Sequence, residues 1–204
     1  MTTIGVLALQ GDFREHINAV EDLGLSTVPV RRARELHGLD GLIIPGGEST
    51  TIDKLSRIFE IAEPIKEAIA GGLPVYGSCA GLIMLADRVV DPAYDLQGNP
   101  QQTFGGIDMS VRRNAFGRQV DSFEEDIDFK GLDKPLKAVF IRAPWVESVG
   151  ENVEILASVP VPSLDATRIV AVRSRNLLAT SFHPEVSGER RVHELFIKII
   201  RGEA

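Results

Sequence analysis

The stretch Gly77-Ser78-Cys79-Ala80-Gly81 limits the possible folds more than any other part of this chain. It stands between an apolar run, Leu73-Pro74-Val75-Tyr76, and a second, helix-compatible run, Leu82-Ile83-Met84-Leu85-Ala86. A strand that turns at once into a helix, with small residues on both sides of the turn, is the nucleophile-elbow pattern with cysteine in the place of serine. The glycines follow from geometry, because so tight a turn has no room for a Cβ on either side. Cys79 then stands at a helix N-terminus, where unpaired N–H groups and the helix dipole favour a thiolate. A lone cysteine is also commonly a small buried apolar residue, so the elbow needs partners elsewhere in the chain.

Short strands alternate with helices through the first 86 residues. Residues 3–9 read as a buried strand broken at Gln10-Gly11-Asp12. Phe13, Ile17, Val20 and Leu23 recur at helical spacing, and Gly24 stops that helix. Residues 26–30 and 41–44 read as strands, the second ending at Pro45-Gly46-Gly47. A helix opens at Glu48-Ser49-Thr50-Thr51, capped by Ser49 or Thr50, and another covers 64–71 before the elbow strand. This alternation implies parallel pairing in an α/β sheet covered on both faces. Ligands of such sheets lie at the carboxyl ends of the strands. Gln10, Gly46-Gly47 and Cys79 all follow strand ends, so one crevice can hold them.

The second half reads differently. Residues 87–106, with Pro92, Gly98 and Pro100, read as a surface loop or insertion. Residues 107–112, 119–129, 137–141 and 153–158 are β-like pieces separated by turns such as Lys130-Gly131 and Val149-Gly150, forming a more antiparallel half of the sheet. Residues 168–173 and 176–182 are strands flanking Ser174-Arg175. An amphipathic helix over 188–200 closes the chain, with Val192, Leu195, Phe196, Ile199 and Ile200 inward. The expected architecture is one α/β domain over residues 1–204: a mixed, mostly parallel sheet flanked by helices around a flavodoxin-like core. A chain of 204 residues can bury a core of that size.

Composition narrows the functional classes. No apolar run approaches membrane-spanning length, and the first residues lack the basic start and cleavage site of a signal peptide, so a cytoplasmic protein is expected. One cysteine excludes internal disulfides and a cysteine-rich zinc site, and fits a reducing compartment. A net charge of −7 without a basic block argues against nucleic acid as the ligand. His16 and His193, within helices, and His37, in a polar connection, read as solvated or packing residues. With no carboxylates at ligand spacing beside them, no metal is expected.

His183-Pro184-Glu185 directly follows the strand 176–182. Proline pushes the residue before it into an extended conformation, so His183 and Glu185, two apart, are expected to project to the same side. A carboxylate beside an imidazole fixes its tautomer and supports the imidazolium formed during proton transfer. With this strand beside the elbow strand, Cys79, His183 and Glu185 make a nucleophile, a base and an orienter. The backbone N–H of Ala80, next after the nucleophile, and that of Gly47, on a neighbouring strand-end loop, are candidate donors to a tetrahedral oxyanion.

The elbow together with Phe182-His183-Pro184-Glu185 resembles the class I, triad-type glutamine amidotransferases, which hydrolyse the glutamine side-chain amide and pass ammonia to a synthase. Leu7-Ala8-Leu9-Gln10-Gly11, the 45–51 stretch Pro-Gly-Gly-Glu-Ser-Thr-Thr, the 113–119 stretch from Arg113 to Gln119, and Val139-Phe140-Ile141-Arg142-Ala143-Pro144 narrow the resemblance to the glutaminase subunits of two-component pyridoxal 5′-phosphate synthases. The likeness runs from the first strand to the last helix. It implies a Cys79, His183, Glu185 triad and a glutamine site at Gly46, Gly47, Glu48, Arg113, Ile141 and Arg142. It also implies that Gln10 couples the site to a synthase partner.

Ser78 stands where threonine is common and Ala8 where glycine is. Residues 91–103 and 158–168 look longer than in compact relatives, which leaves the partner surface open. The chain has no P-loop or G-x-G-x-x-G fingerprint, so no cofactor is expected and the ring chemistry falls to the partner. Two other readings compete: a DJ-1-like peptidase or deglycase, and a catalytically silent regulatory subunit. The Gly-Gly loop, the His-Pro-Glu pair and the arginine motifs favour glutamine over the first, and the complete triad speaks against the second.

Overall fold

The computed structural model describes residues 2–113, 115, 122–161 and 165–204. The strands are β1 (Thr3–Leu7), β2 (Ser26–Val30), β3 (Gly41–Ile44), β4 (Val75–Ser78), β5 (Ala86–Val89), β6 (Ile107–Arg112), β7 (Ser122–Ile127), β8 (Leu136–Ile141), β9 (Trp145–Val149), β10 (Glu154–Val161), β11 (Ala166–Ser174) and β12 (Leu177–Thr180). The helices are α1 (Phe13–Asp22), α2 (Ser49–Ile58), α3 (Ala62–Ala70), α4 (Ala80–Leu85), α5 (Pro184–Ser187) and α6 (Arg191–Arg201), with a 3₁₀ turn at Ala33–Leu36.

Nine strands run in the order β2-β1-β3-β4-β12-β11-β9-β6-β5, and β10 joins the same sheet through β11. The pairs from β2 to β12 are parallel. The pairs of β11 with β12, β9 and β10, and of β6 with β9, are antiparallel, as expected for the second half. Strand pleating sends alternate residues to two cores. On β3, Leu42 and Ile44 join Ile52 of α2, Ile65 of α3 and Leu82 of α4. Ile43 points the other way, to Val20 of α1 and to Val192 and Phe196 of α6. The fold is thus the expected mixed sheet with helices on both faces.

Several boundaries differ from the sequence reading, for identifiable reasons. Residues 86–89 form β5, from the last residue of the expected helical run into the loop expected over 87–106, following α4 with no turn residue to announce a strand. β9 is an addition to the expected strands, because Pro144 and Glu147 break its apolar pattern. β7 pairs with β8 in a separate two-stranded sheet, and residues 119–121 of the strand expected there lie outside the described residues. Residues 158–168, expected as a loop on account of Pro160 and Pro162, mostly belong to a β10–β11 hairpin in which Pro160 faces Thr167. Pro160 is tolerated because, among the described residues, β10 pairs with no strand other than β11, so its outer edge there needs no N–H; Pro162 lies outside the described residues. The closing helix expected over 188–200 is α6, which starts at Arg191, and a separate short helix, α5, precedes it and ends at Gly188, whose φ is +72°.

Candidate active site

The elbow forms where β4 meets α4. Cys79 occupies the junction with φ 50° and ψ −100°, a conformation that non-glycine residues adopt only when the surroundings impose it. The imposing contacts are the glycines. A Cβ on Gly77 would lie 2.4 Å from the carbonyl oxygen of Gly81, and one on Gly81 would lie 2.1 Å from that of Ile44. The Cys79 N–H donates to the Thr180 carbonyl at 2.8 Å, tying the turn to β12.

His183 leaves β12 and caps α5, its N–H donating to Val139 of β8 at 2.9 Å. Its Nδ1 lies 2.7 Å from Glu185 Oε1. The expected pair is therefore formed, but by a different geometry. Glu185 belongs to the first turn of α5 rather than to an extended segment, so the chain folds back to bring its carboxylate under the ring. Both side chains are almost fully buried. Burial alone would lower the His183 pKa, but a hydrogen bond with Cys79 and the Glu185 carboxylate outweigh it and push it up to about 11. Burial would likewise raise Glu185, yet the charge of His16 and the hydrogen bond and charge of His183 bring it down to about 2.

These groups open onto a cleft of about 300 Å³ lined by Gln10, Asp12, Gly47, Glu48, Ser49, Cys79, Ala80, Ile83, Arg113, Ile141, Arg142, Pro144 and His183. Every residue singled out in the sequence lines it except two. Glu185 lies behind His183. Gly46 lies against the ring: a Cβ there would come within 2.3 Å of His183 Cε1. Ala80 opens α4, so its N–H is among those a helix start leaves unpaired. Gln10 Oε1 accepts the Glu48 N–H at 2.8 Å, so it braces the Gly47 loop.

On the far wall, Arg113 Nη2 lies 3.0 Å from Glu48 Oε1, which also accepts from Thr50 Oγ1 at 3.1 Å. An acid and an arginine side by side match the ammonium and carboxylate of an α-amino acid. Arg142 follows β8 with φ 42°. Of the 113–119 motif, residues 114 and 116–119 lie outside the described residues.

Residues 6–201 match the SNO glutamine amidotransferase family. The chain belongs to that family. Among the relatives of this amidotransferase, the pyridoxal 5′-phosphate synthase subunit PdxT of Paenarthrobacter aurescens is 67% identical, covering 98% of this chain and 93% of the relative. The protein of the same description from Rhodococcus opacus is 59% identical, covering 98% and 97%. The crystal structure of a glutamine amidotransferase superposes with a TM-score of 0.85 at 44% identity, covering 97% of this chain and 98% of that one. The structure of PurLQS from Thermotoga maritima, 16% identical, shares the fold with a TM-score of 0.60 over 100% of this chain and 99% of its own.

Sequence reasoning missed four residues of this amidotransferase site. Asp12 Oδ2 lies 3.6 Å from His183 Nδ1, and burial raises its pKa. Ser78 Oγ is 3.4 Å from Glu185 Oε2. His16 and His193, expected to be solvated or packing residues, are buried behind Glu185, with His16 Nδ1 2.9 Å from His193 Nε2. The signal for His16 was present in its position, three residues after Phe13 and four before Val20, on the inward face of α1. Asp12, His183 and Glu185 bring ligand-type atoms within 4.8 Å of one another. Two of the three are already joined as an imidazole–carboxylate pair, an arrangement suited to proton transfer.

Proposed function

We propose that this chain hydrolyses L-glutamine to L-glutamate and ammonia through Cys79, His183 and Glu185, as the glutaminase subunit of a pyridoxal 5′-phosphate synthase. The observation that supports this reading is the hydrogen bonding of His183 to both Cys79 and Glu185, at a cleft whose lining also includes the Glu48–Arg113 pair.

The chemistry follows from the arrangement. The Cys79 thiolate attacks the carboxamide carbon, forming a C–S bond and a tetrahedral oxyanion held by the Ala80 and Gly47 N–H groups. The His183 imidazolium gives its proton to the amide nitrogen, the C–N bond breaks and ammonia leaves. A water molecule then loses a proton to His183 and attacks the glutamyl thioester. Collapse of that second tetrahedral species returns the thiolate and releases glutamate. Glu48 and Arg113 hold the ammonium and carboxylate of glutamine, with Gly46, Gly47, Ile141 and Arg142 shaping the rest of the site.

The naming of the relatives as pyridoxal 5′-phosphate synthase subunits supports delivery of the ammonia to a synthase that builds the vitamin B6 ring. Gln10, which braces the Gly47 loop at the cleft mouth, is the residue through which docking is felt. A nucleophilic thiol fits a reducing, cytoplasmic setting. Mixing the chain with its synthase and following glutamine-dependent ammonia release and pyridoxal phosphate formation tests the reading. Cleavage of peptides in place of glutamine supports the DJ-1-like alternative, and no turnover at all supports a silent subunit.

A further inference from the structure

We propose that His16 is a positioning residue for the reaction: from behind, its Nε2–H holds the Oε2 atom of Glu185, so that Oε1 stays aimed at His183 Nδ1. The inference rests on the glutaminase reading of the site and adds a member that does not touch substrate.

Glu185 uses Oε1 for His183. Its other oxygen faces two groups. Ser78 Oγ has a single proton and stands 3.2 Å from the Phe182 carbonyl and 3.4 Å from Oε2, so it serves one or the other. His16 Nε2 lies 3.5 Å from Oε2, longer than a formed hydrogen bond, and has no hydrogen-bond partner among the described residues, so this buried nitrogen is free to engage the carboxylate. Contacts of this kind commonly tighten when the reacting groups are in place. His16 is fully buried, its ring edge-on to Tyr76 at 5.9 Å, so water is not at hand to replace it.

The tautomer is decided by the neighbours. A lone pair on Nε2 facing a buried carboxylate is repulsive, so the proton of His16 belongs on Nε2. His16 Nδ1 lies 2.9 Å from His193 Nε2, so the other side of the ring is fixed by a second buried imidazole. Glu185 is thus faced from both sides, by His16 Nε2 at Oε2 and by His183 Nδ1 at Oε1. Burial keeps His16 below its ordinary pKa, and His193 is lowered to about 3.

The test compares His16→Gln with His16→Asn in the complex with the synthase. A glutamine amide nitrogen reaches the place of Nε2, whereas an asparagine amide stops near Nδ1. We expect His16→Asn to lose about tenfold or more in kcat, as losses of outer hydrogen bonds to functional side chains do, with KM for glutamine unchanged. His16→Gln should recover most of that loss. In proton NMR, the downfield His183 Nδ1–H resonance should move in His16→Asn and in His16→Leu, and stay near its wild-type position in His16→Gln. Equal kcat for the Asn and Gln variants, or an unmoved resonance in both Asn and Leu variants, overturns the proposal. A wild-type complex that releases no ammonia from glutamine overturns the glutaminase reading instead, and the resonance still decides whether His16 holds Glu185.

Discussion

His183 and Glu185 meet across the start of a helix. His183 is the N-cap of α5 and Glu185 lies in its first turn, yet Nδ1 and Oε1 are 2.7 Å apart. Pro184 makes this possible, since a proline at the first helical position needs no N–H partner and brings a ready φ. The carboxylate is held by covalent proximity on one side and by buried neighbours on the other, which leaves the imidazole little freedom to turn.

Replacing Cys79 separates chemistry from strain. Cys79→Ala should abolish glutaminase activity, by ~10⁴-fold or more, with synthase binding intact. Cys79→Gly should be equally inactive but more stable by about 1 kcal/mol, because glycine relieves the cost of φ 50° at the elbow. Ammonia assays and thermal melts of the two variants check both claims.

Removing the sulfur should also change the titration of His183. With Cys79 and Glu185 supporting its charge, the imidazole stays protonated through neutral pH, with a pKa of about 11. In Cys79→Ala one support is gone and burial pulls the value down. NMR titration of His183 in the two proteins should show the fall, and an unchanged value would mean that thiol and imidazole do not interact.

The acid limb of stability belongs in part to Glu185. Its folded pKa of about 2 lies below the ordinary 4.5, so between those values the unfolded chain binds a proton that the folded chain refuses. Stability from this group is complete above about pH 4.5 and is lost as the pH falls towards 2. Glu185→Gln should flatten denaturation midpoints over that window by about one proton's worth of slope, and lower kcat as well.

A methyl group at Gly46 should act chiefly on His183, with Asp12 Oδ2 next at 3.2 Å. The added Cβ would stand 2.3 Å from Cε1 and 2.9 Å from Nδ1 of the ring. Gly46→Ala should therefore cut kcat by about 100-fold, as a misplacement of about 1 Å does. It should cost about 1–3 kcal/mol of stability, in the manner of overpacking. Arg113→Ala, on the opposite wall, should instead raise KM for glutamine by about 10–100-fold, the worth of a charge-assisted hydrogen bond, and leave kcat largely unchanged.

Much of the site is legible in the chain itself because its residues are punctuated by local structure. Pro45-Gly46-Gly47, the elbow glycines and His183-Pro184-Glu185 each interrupt an apolar strand, and strand ends of a parallel sheet converge. His16 is less legible, because histidine on the inner face of a helix looks like ordinary packing until Glu185, 169 positions later by number, is placed behind it. The β10–β11 hairpin is hidden because Pro160 disfavours strands in general but not at an edge. β5 and β9 are too short to show a period, and only their partners in the sheet define them.

The ion pair of Glu48 and Arg113 has a consequence for what can enter. The two side chains satisfy one another at the cleft, so a ligand held by both, as proposed for glutamine, would have to offer a cation and an anion in their place. A carboxamide lacking either group would strand one of the two, and a glutamine within a polypeptide brings neither. Under the proposed glutamine reading, this pair would select the free zwitterion before any bond to sulfur is made.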